Sequence, residues 1–248
     1  KKEFSAAAAA ARLIRAEFPD VSMPFLFYID YQIARGQERI ADARAVLLAA
    51  ITRFPDNEMF RMQIAQLSYD SGAFQEAENR ALELIALRPD FTQAHVLVAK
   101  IREEQGRFGA AAEAGERALA SEPENISLKI KCAELQIISR NFSRALALYD
   151  SILDHARSSL APDILFKISL FFTQQGELER AESLLREIVA SQPAGKYYFN
   201  FAWVLFKNGK VGEALENMKI ARERYASQLT PEQSALAGKA VTAWRDGQ

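Results

Sequence analysis

Apolar residues recur along most of the chain at three- and four-residue spacing, as in Ile64, Leu67, Ala81, Leu84 and Ile85. That period lines one face of a helix, whereas a half-buried strand would alternate. Two kinds of punctuation break the helical stretches. Glycine stands at 72, 106, 176 and 209, and proline at 55, 89, 123 and 193. Glycine readily takes the positive-φ turn by which a chain leaves a helix. Proline cannot sit in a helix interior, so it ends one helix before the next begins. The pattern predicts short helices in pairs, each pair joined at the glycine and terminated at the proline.

These marks repeat. Residues 58–91 carry Gly72, Phe74, Ala77 and Pro89; residues 92–125 carry Gly106, Phe108, Ala111 and Pro123, each 34 positions later. Phe142 and Ala145 continue the aromatic and alanine columns. After a slip of two residues come Gly176, Leu178, Ala181 and Pro193, and 33 further on Gly209, Val211 and Ala214. Upstream, Ala43 and Pro55 stand 34 before Ala77 and Pro89. The apolar residue at repeat position 17 seals the turn, and the small alanine at position 20 lets the paired helices approach. A fixed period of this length is the mark of a repeat architecture.

Over nearly its whole length the sequence resembles the tetratricopeptide repeat family. The resemblance implies an all-α fold, a right-handed superhelical solenoid of antiparallel helix pairs. It divides 1–248 into one array: an incomplete repeat at 3–23, repeats at 24–57, 58–91, 92–125, 126–161, 162–194 and 195–228, and a closing helix at 231–246. Residues 3–18 read as the second helix of the incomplete repeat, and Phe18-Pro19-Asp20 echoes Phe54-Pro55-Asp56. Thr230-Pro231-Glu232-Gln233 has the spacing of a capping box.

Three departures qualify the match. Arg61, His95 and Lys129 occupy repeat position 4, where the family usually has an aromatic residue. Gly36 lies two residues early, which predicts a longer turn in the first repeat. Two residues are added between Arg157 and Pro162. RNA-reading helical arrays have a nearby period, but their turn pattern is absent.

Charge narrows the partners. Lys and Arg number 31 against 32 Asp and Glu, so the basic excess expected of a nucleic-acid-binding chain is missing. No run of about 18 apolar residues is present to cross a membrane. The start, Lys1-Lys2-Glu3-Phe4 and then Ala6 to Ala11, faintly resembles a signal peptide, but signal cores are bulkier and the segment fits the repeat register. The absence of an initial Met points to a processed chain or a piece of a longer one. Cytoplasm and periplasm both remain compatible.

Candidate chemistry is sparse. His95 and His155 fall in different repeats without ligand-spaced neighbours, which predicts packing or surface roles and no metal. The glycines are spread one per turn, so no phosphate-cradling loop forms. Ser158-Ser159 lacks a base, and Cys132 falls at a position that is usually buried. Neither an enzyme nor a cofactor is expected.

The resemblance implies that repeat positions 2, 5, 9, 12 and 13 face a concave groove. Met59, Met62 and Tyr69 stand there in the second repeat, with Gln66 and Asp70; the third supplies Gln93, Val96, Lys100, Glu103 and Glu104. Ile130 and Ile137 follow in the fourth, Phe166 in the fifth, and Phe199, Trp203 and Phe206 in the sixth. Position 5 lacks the Lys of a chaperone-tail clamp, and in the column of a peptide-threading asparagine ladder only Asn200 fits. The nine apolar and aromatic residues imply a protein or peptide partner with an apolar or amphipathic segment. The alternative is a repeat region of a larger bacterial protein, positioning a polysaccharide-synthesis, export or secretion assembly. Self-association is a further partner mode. Ile138 and Leu170 also stand at groove positions; if some of these positions are inter-helix core instead, these two are the first candidates. Phe199, Trp203 and Phe206 either face a partner or lie under the closing helix.

Overall fold

The computed structural model describes residues 2–17 and 23–245; the predicted Phe18-Pro19-Asp20 echo lies outside them. Among the described residues there is no strand. Helix α1 (Lys2–Glu17) packs on α2 (Pro24–Gly36), which pairs with α3 (Ile40–Arg53). The next pairs are α4 (Glu58–Asp70) with α5 (Phe74–Leu87) and α6 (Thr92–Glu104) with α7 (Phe108–Ser121). Then come α8 (Ile126–Ile138) and α9 (Phe142–Ala156), after which a 3-10 turn at Arg157–Ser159 takes up the added residues. The remaining pairs are α10 (Pro162–Gln175) with α11 (Leu178–Ser191) and α12 (Gly195–Lys207) with α13 (Val211–Arg224); α14 (Pro231–Arg245) packs on α13. The chain divides into two compact units, Lys1–Ile152 and Leu153–Gln248.

The alanine column explains why the pairs close. Ala43, Ala77, Ala111, Ala145, Ala181 and Ala214 are all fully buried. A larger side chain there would hold the helices apart or force the packing to shift. Helix starts are set locally. Asn57 Oδ1 accepts from the amides of Met59 and Phe60, and Asn125 Oδ1 accepts from Leu128. Thr230 and Gln233 form the expected reciprocal capping box, at 3.0 and 3.2 Å.

The turns correct one expectation. Gly72, Gly106, Gly176 and Gly209 have φ between 71 and 82°. In the first repeat Gly36 merely ends α2, and Glu38 takes the positive-φ place at 60°. The turn is therefore no longer than the others: residues 37–39 separate α2 from α3 just as 71–73 separate α4 from α5. Arg140 does the same in the fourth repeat, at φ 63°. A side chain in that region is strained by its Cβ. Arg140→Gly is accordingly expected to stabilise by about 0.5–1 kcal/mol, the relief being partly offset by glycine's freedom in the unfolded chain. Gly106→Val, the reverse change with a β-branched side chain, should cost about 1 kcal/mol or more. Urea unfolding of the two variants checks both signs.

Polar side chains stand in for the missing aromatics. Arg61 Nε donates to the carbonyl of Pro55 at 3.0 Å, and His95 Nε2 lies 2.8 Å from that of Pro89. Each reaches back to the proline that ended the previous repeat. Lys129 is buried, with Nζ 3.1 Å from Ser151 Oγ.

Buried carboxylates staple successive repeats. Glu78, on α5, accepts from Arg102 Nε at 2.8 Å and from Arg107, both in the next repeat. Glu182, on α11, accepts from Lys210 Nζ at 2.7 Å, Asn208 Nδ2 at 2.8 Å and its own-helix Arg186 at 3.0 Å. Burial alone would raise the Glu182 carboxyl; the bonds from Lys210, Arg186 and Asn208 outweigh it and hold the carboxyl down at about 2. A carboxylate depressed by folding contributes stability above its unfolded value and loses it as pH falls toward the folded one. Stability of the second unit should thus decline between about pH 4.5 and 2 in wild type. Glu182→Gln should flatten that limb, as acid titration followed by circular dichroism would show.

Candidate partner-binding surface

In the first unit the outward faces of α4 and α6 border two adjoining cavities. One, of about 580 Å³, is lined by Met59, Met62, Gln63, Gln66, Val96 and Lys100, with Phe91, Leu97 and Leu128 among its other walls. Its neighbour, of about 430 Å³, lies between α6 and α8. Its walls include Val96, Ala99, Lys100, Glu103 and Glu104 from α6, Gly115 and Ala118 from α7, and Leu128, Lys131, Cys132 and Leu135 from α8. Val96, Lys100 and Leu128 belong to both, so the two form one trough. Small side chains open its floor: Ala99, Gly115 and Ala118 leave room where larger ones would fill it.

The trough is apolar below and polar at its rim. Met59 is 52% exposed and Val96 36%. Rim charges are largely matched: Lys131 Nζ lies 2.7 Å from Glu103, and Lys100 sits 4.6 Å above the Tyr69 ring. Cys132 is buried in the wall, and burial pushes its thiol up to about 12, far from a reactive thiolate.

The predicted residues of the first unit divide into three groups. Met59 and Met62 line the trough, together with Gln66, Gln93, Val96, Lys100, Glu103 and Glu104 from the predicted face. Tyr69 lies outside it, packed against Phe74 at 5.5 Å, with its hydroxyl donating to Glu104 at 3.4 Å. Ile130 and Ile137 are half-buried on α8 and line neither cavity. The α8 wall is instead Leu128, Lys131, Cys132 and Leu135. A cleft between two helices is walled by the outward face of one and the leading edge of the next, and positional analogy names only the outward face. Their i, i+3, i+4, i+7 spacing was the available signal. Of the two groove positions that are candidates for core, Ile138 is 43% exposed and Leu170 is half-buried.

The second unit departs from an open face. Phe199 is buried at 7% exposure. Trp244 of α14 stacks on Phe206 with ring centroids 4.4 Å apart and meets Trp203 edge-on at 5.1 Å. Trp203 also contacts Phe199 and Phe206, at 6.4 and 6.3 Å. Trp203 and Phe206 therefore lie under the closing helix, the second of the two outcomes expected for them, and Phe199 is buried beside Trp203. Phe166 is half-buried against Tyr197, at 5.0 Å, whose hydroxyl donates to Asp163 at 2.7 Å.

Among the described residues no cluster of His, Cys, Asp and Glu could hold a metal ion, and no helix is long and apolar enough to cross a membrane.

Over 222 residues the chain is 25% identical to crooked neck-like protein 1 of Mus musculus, covering 89% of this chain and 27% of that protein. It thus spans about a quarter of the length of the curated relatives it matches. Among solved structures it is similar to YrrB, described as a TPR protein with an unusual peptide-binding site, at a TM-score of 0.66 and 15% identity. That match covers 78% of this chain and 97% of YrrB. A tetratricopeptide repeat protein of Parabacteroides merdae matches at a TM-score of 0.62 and 16% identity, over 89% of this chain and 93% of that one. Two family profiles described as tetratricopeptide repeat match, one at residues 32–83, 62–126 and 138–196 and the other at 103–165. With its glycine-turned helix pairs and buried alanine column, the chain belongs to the tetratricopeptide repeat family.

Proposed function

We propose that the first unit holds an apolar or amphipathic segment of a partner protein in the trough between α4, α6 and α8. The repeat fold itself supports a protein-interaction scaffold, and repeat scaffolds of this kind are generally not enzymes. The observation that carries the finer reading is the trough's build. Exposed Met59 and Val96 stand over an apolar floor, ringed by amides and by charges that already have partners. Apolar anchors entering such a surface supply most of the affinity, while a matched polar rim excludes water at little cost. Each repeat contacts its neighbours, so a bound segment orders little of the scaffold.

Panning a random peptide library on the wild-type chain tests this. Selected peptides should carry bulky apolar anchors, and Val96→Glu should weaken them at least tenfold while the melting temperature stays within a few degrees of wild type. Peptides that bind Val96→Glu and Met62→Glu as well as wild type would place binding elsewhere and end the proposal. A second reading is that the trough holds a neighbouring part of a larger protein. It draws support from the quarter-length coverage of the curated relatives. A selected peptide matching a segment of the full-length product would favour it.

A further inference from the structure

The aromatic seat of the second unit is filled by a lightly held element. The buried residues of α14 are Ala237, Ala240 and Trp244. Alanines bring little apolar surface, so Trp244 is the largest apolar anchor among them. Leu236 remains 46% exposed. The chain is pinned just before the helix: Gly195 N donates to Gln228 Oε1 at 2.8 Å, and Tyr225 stacks on Tyr198 at 5.6 Å. Only Leu229 and Thr230 separate that anchor from α14, whose start is closed by its own capping box. The helix can therefore lift off as a unit, giving up its packing on α13 and on the α12 aromatics while the connection stays anchored to α12.

The seat also has a bond left unmade. Nε1 of Trp203 is buried and finds no acceptor among the described residues. A buried donor left unpaired costs stability, and a ligand that pairs it recovers that cost. The resident helix brings a ring but no acceptor.

We propose that the Trp203–Phe206 face is a partner site held closed by α14, and that its partner is an amphipathic helix carrying an aromatic side chain in place of Trp244 and an acceptor for Trp203 Nε1–H. Such a helix matches the stacking that α14 provides and adds the hydrogen bond that α14 omits. Because α14 competes from within the same chain, at an effective concentration on the order of millimolar, the site stays closed to weak ligands. This site is separate from the first-unit trough, so either can fail alone.

The test opens the seat in the full chain. Trp244→Ala removes the resident ring and leaves Trp203 as the only tryptophan, since the chain has two. The probe is a labelled peptide of residues 229–245 carrying Trp244→Phe. It should change Trp203 emission and bind Trp244→Ala at least tenfold more tightly than wild type, and adding Phe206→Ala should abolish the gain. Gly238→Pro breaks α14 without touching the seat, and should admit the same peptide if Trp244→Ala folds poorly. Failure to bind either opened variant, with both helical by circular dichroism, overturns the proposal; so does equal binding to wild type. Trp203→Phe deletes the orphan donor and keeps a ring, so it should melt within a few degrees of wild type. A large drop would mean that Nε1 already has an acceptor, which would overturn the claim of an unmade bond.

Discussion

Trp203→Glu is expected to destabilise the second unit by about 3 kcal/mol or more, because it removes the indole packed on Trp244 and sets a carboxylate, which burial disfavours, in its place. The wild-type indole lies between Phe199 and Phe206 on its own helix and Trp244 above. A carboxylate at that spot must either stay buried and take up a proton or expel α14 to reach water. Either way the aromatic cluster is lost. For a unit of this size the melting transition should fall by roughly ten degrees or more. A melt close to wild type would mean that α14 does not cover the face in solution.

The second large effect is expected at Gly195, the first residue of α12. A Cβ built there would lie 2.9 Å from Tyr225 Cβ and 3.1 Å from the Tyr225 carbonyl oxygen. Both neighbours belong to the connection between α13 and α14, and the second is backbone, so relief requires the connection itself to move. Gly195→Val should cost about 2–3 kcal/mol through this overpacking. It should also break the bond from the Gly195 amide to Gln228. Chemical denaturation of the purified variant gives the number. A neutral result would show that residues 225–228 do not approach α12 as closely as described.

Helix pairing was legible in the sequence because its marks are local. A glycine turn, a terminating proline and a buried alanine act within one repeat, so their spacing alone reveals the unit. The first turn was misread for a physical reason. Glycine is favoured at positive φ but not required there, and Glu38 and Arg140 accept the strain. The candidate site was only half legible. Met59 and Met62 follow from an outward helix face, whereas the α8 wall depends on how one helix leans on the next. The covering of Trp203 and Phe206 depends on Trp244, some forty residues downstream, and α12 by itself shows only that both of its faces are apolar. The carboxylate staples were hidden similarly. Nothing near Glu182 in the sequence marks Lys210 and Asn208, from the next repeat, as its partners.

The most direct measurement of the account uses the four methionines as reporters. Met59 and Met62 line the first-unit trough, Met218 is fully buried in α13, and Met23 precedes α2. With carbon-13-labelled methionine methyls, titration of a library-selected peptide is followed by nuclear magnetic resonance. The Met59 and Met62 signals should move with the binding isotherm while those of Met218 and Met23 hold still. Movement of Met218 or Met23 with Met59 and Met62 unchanged would contradict binding in the trough.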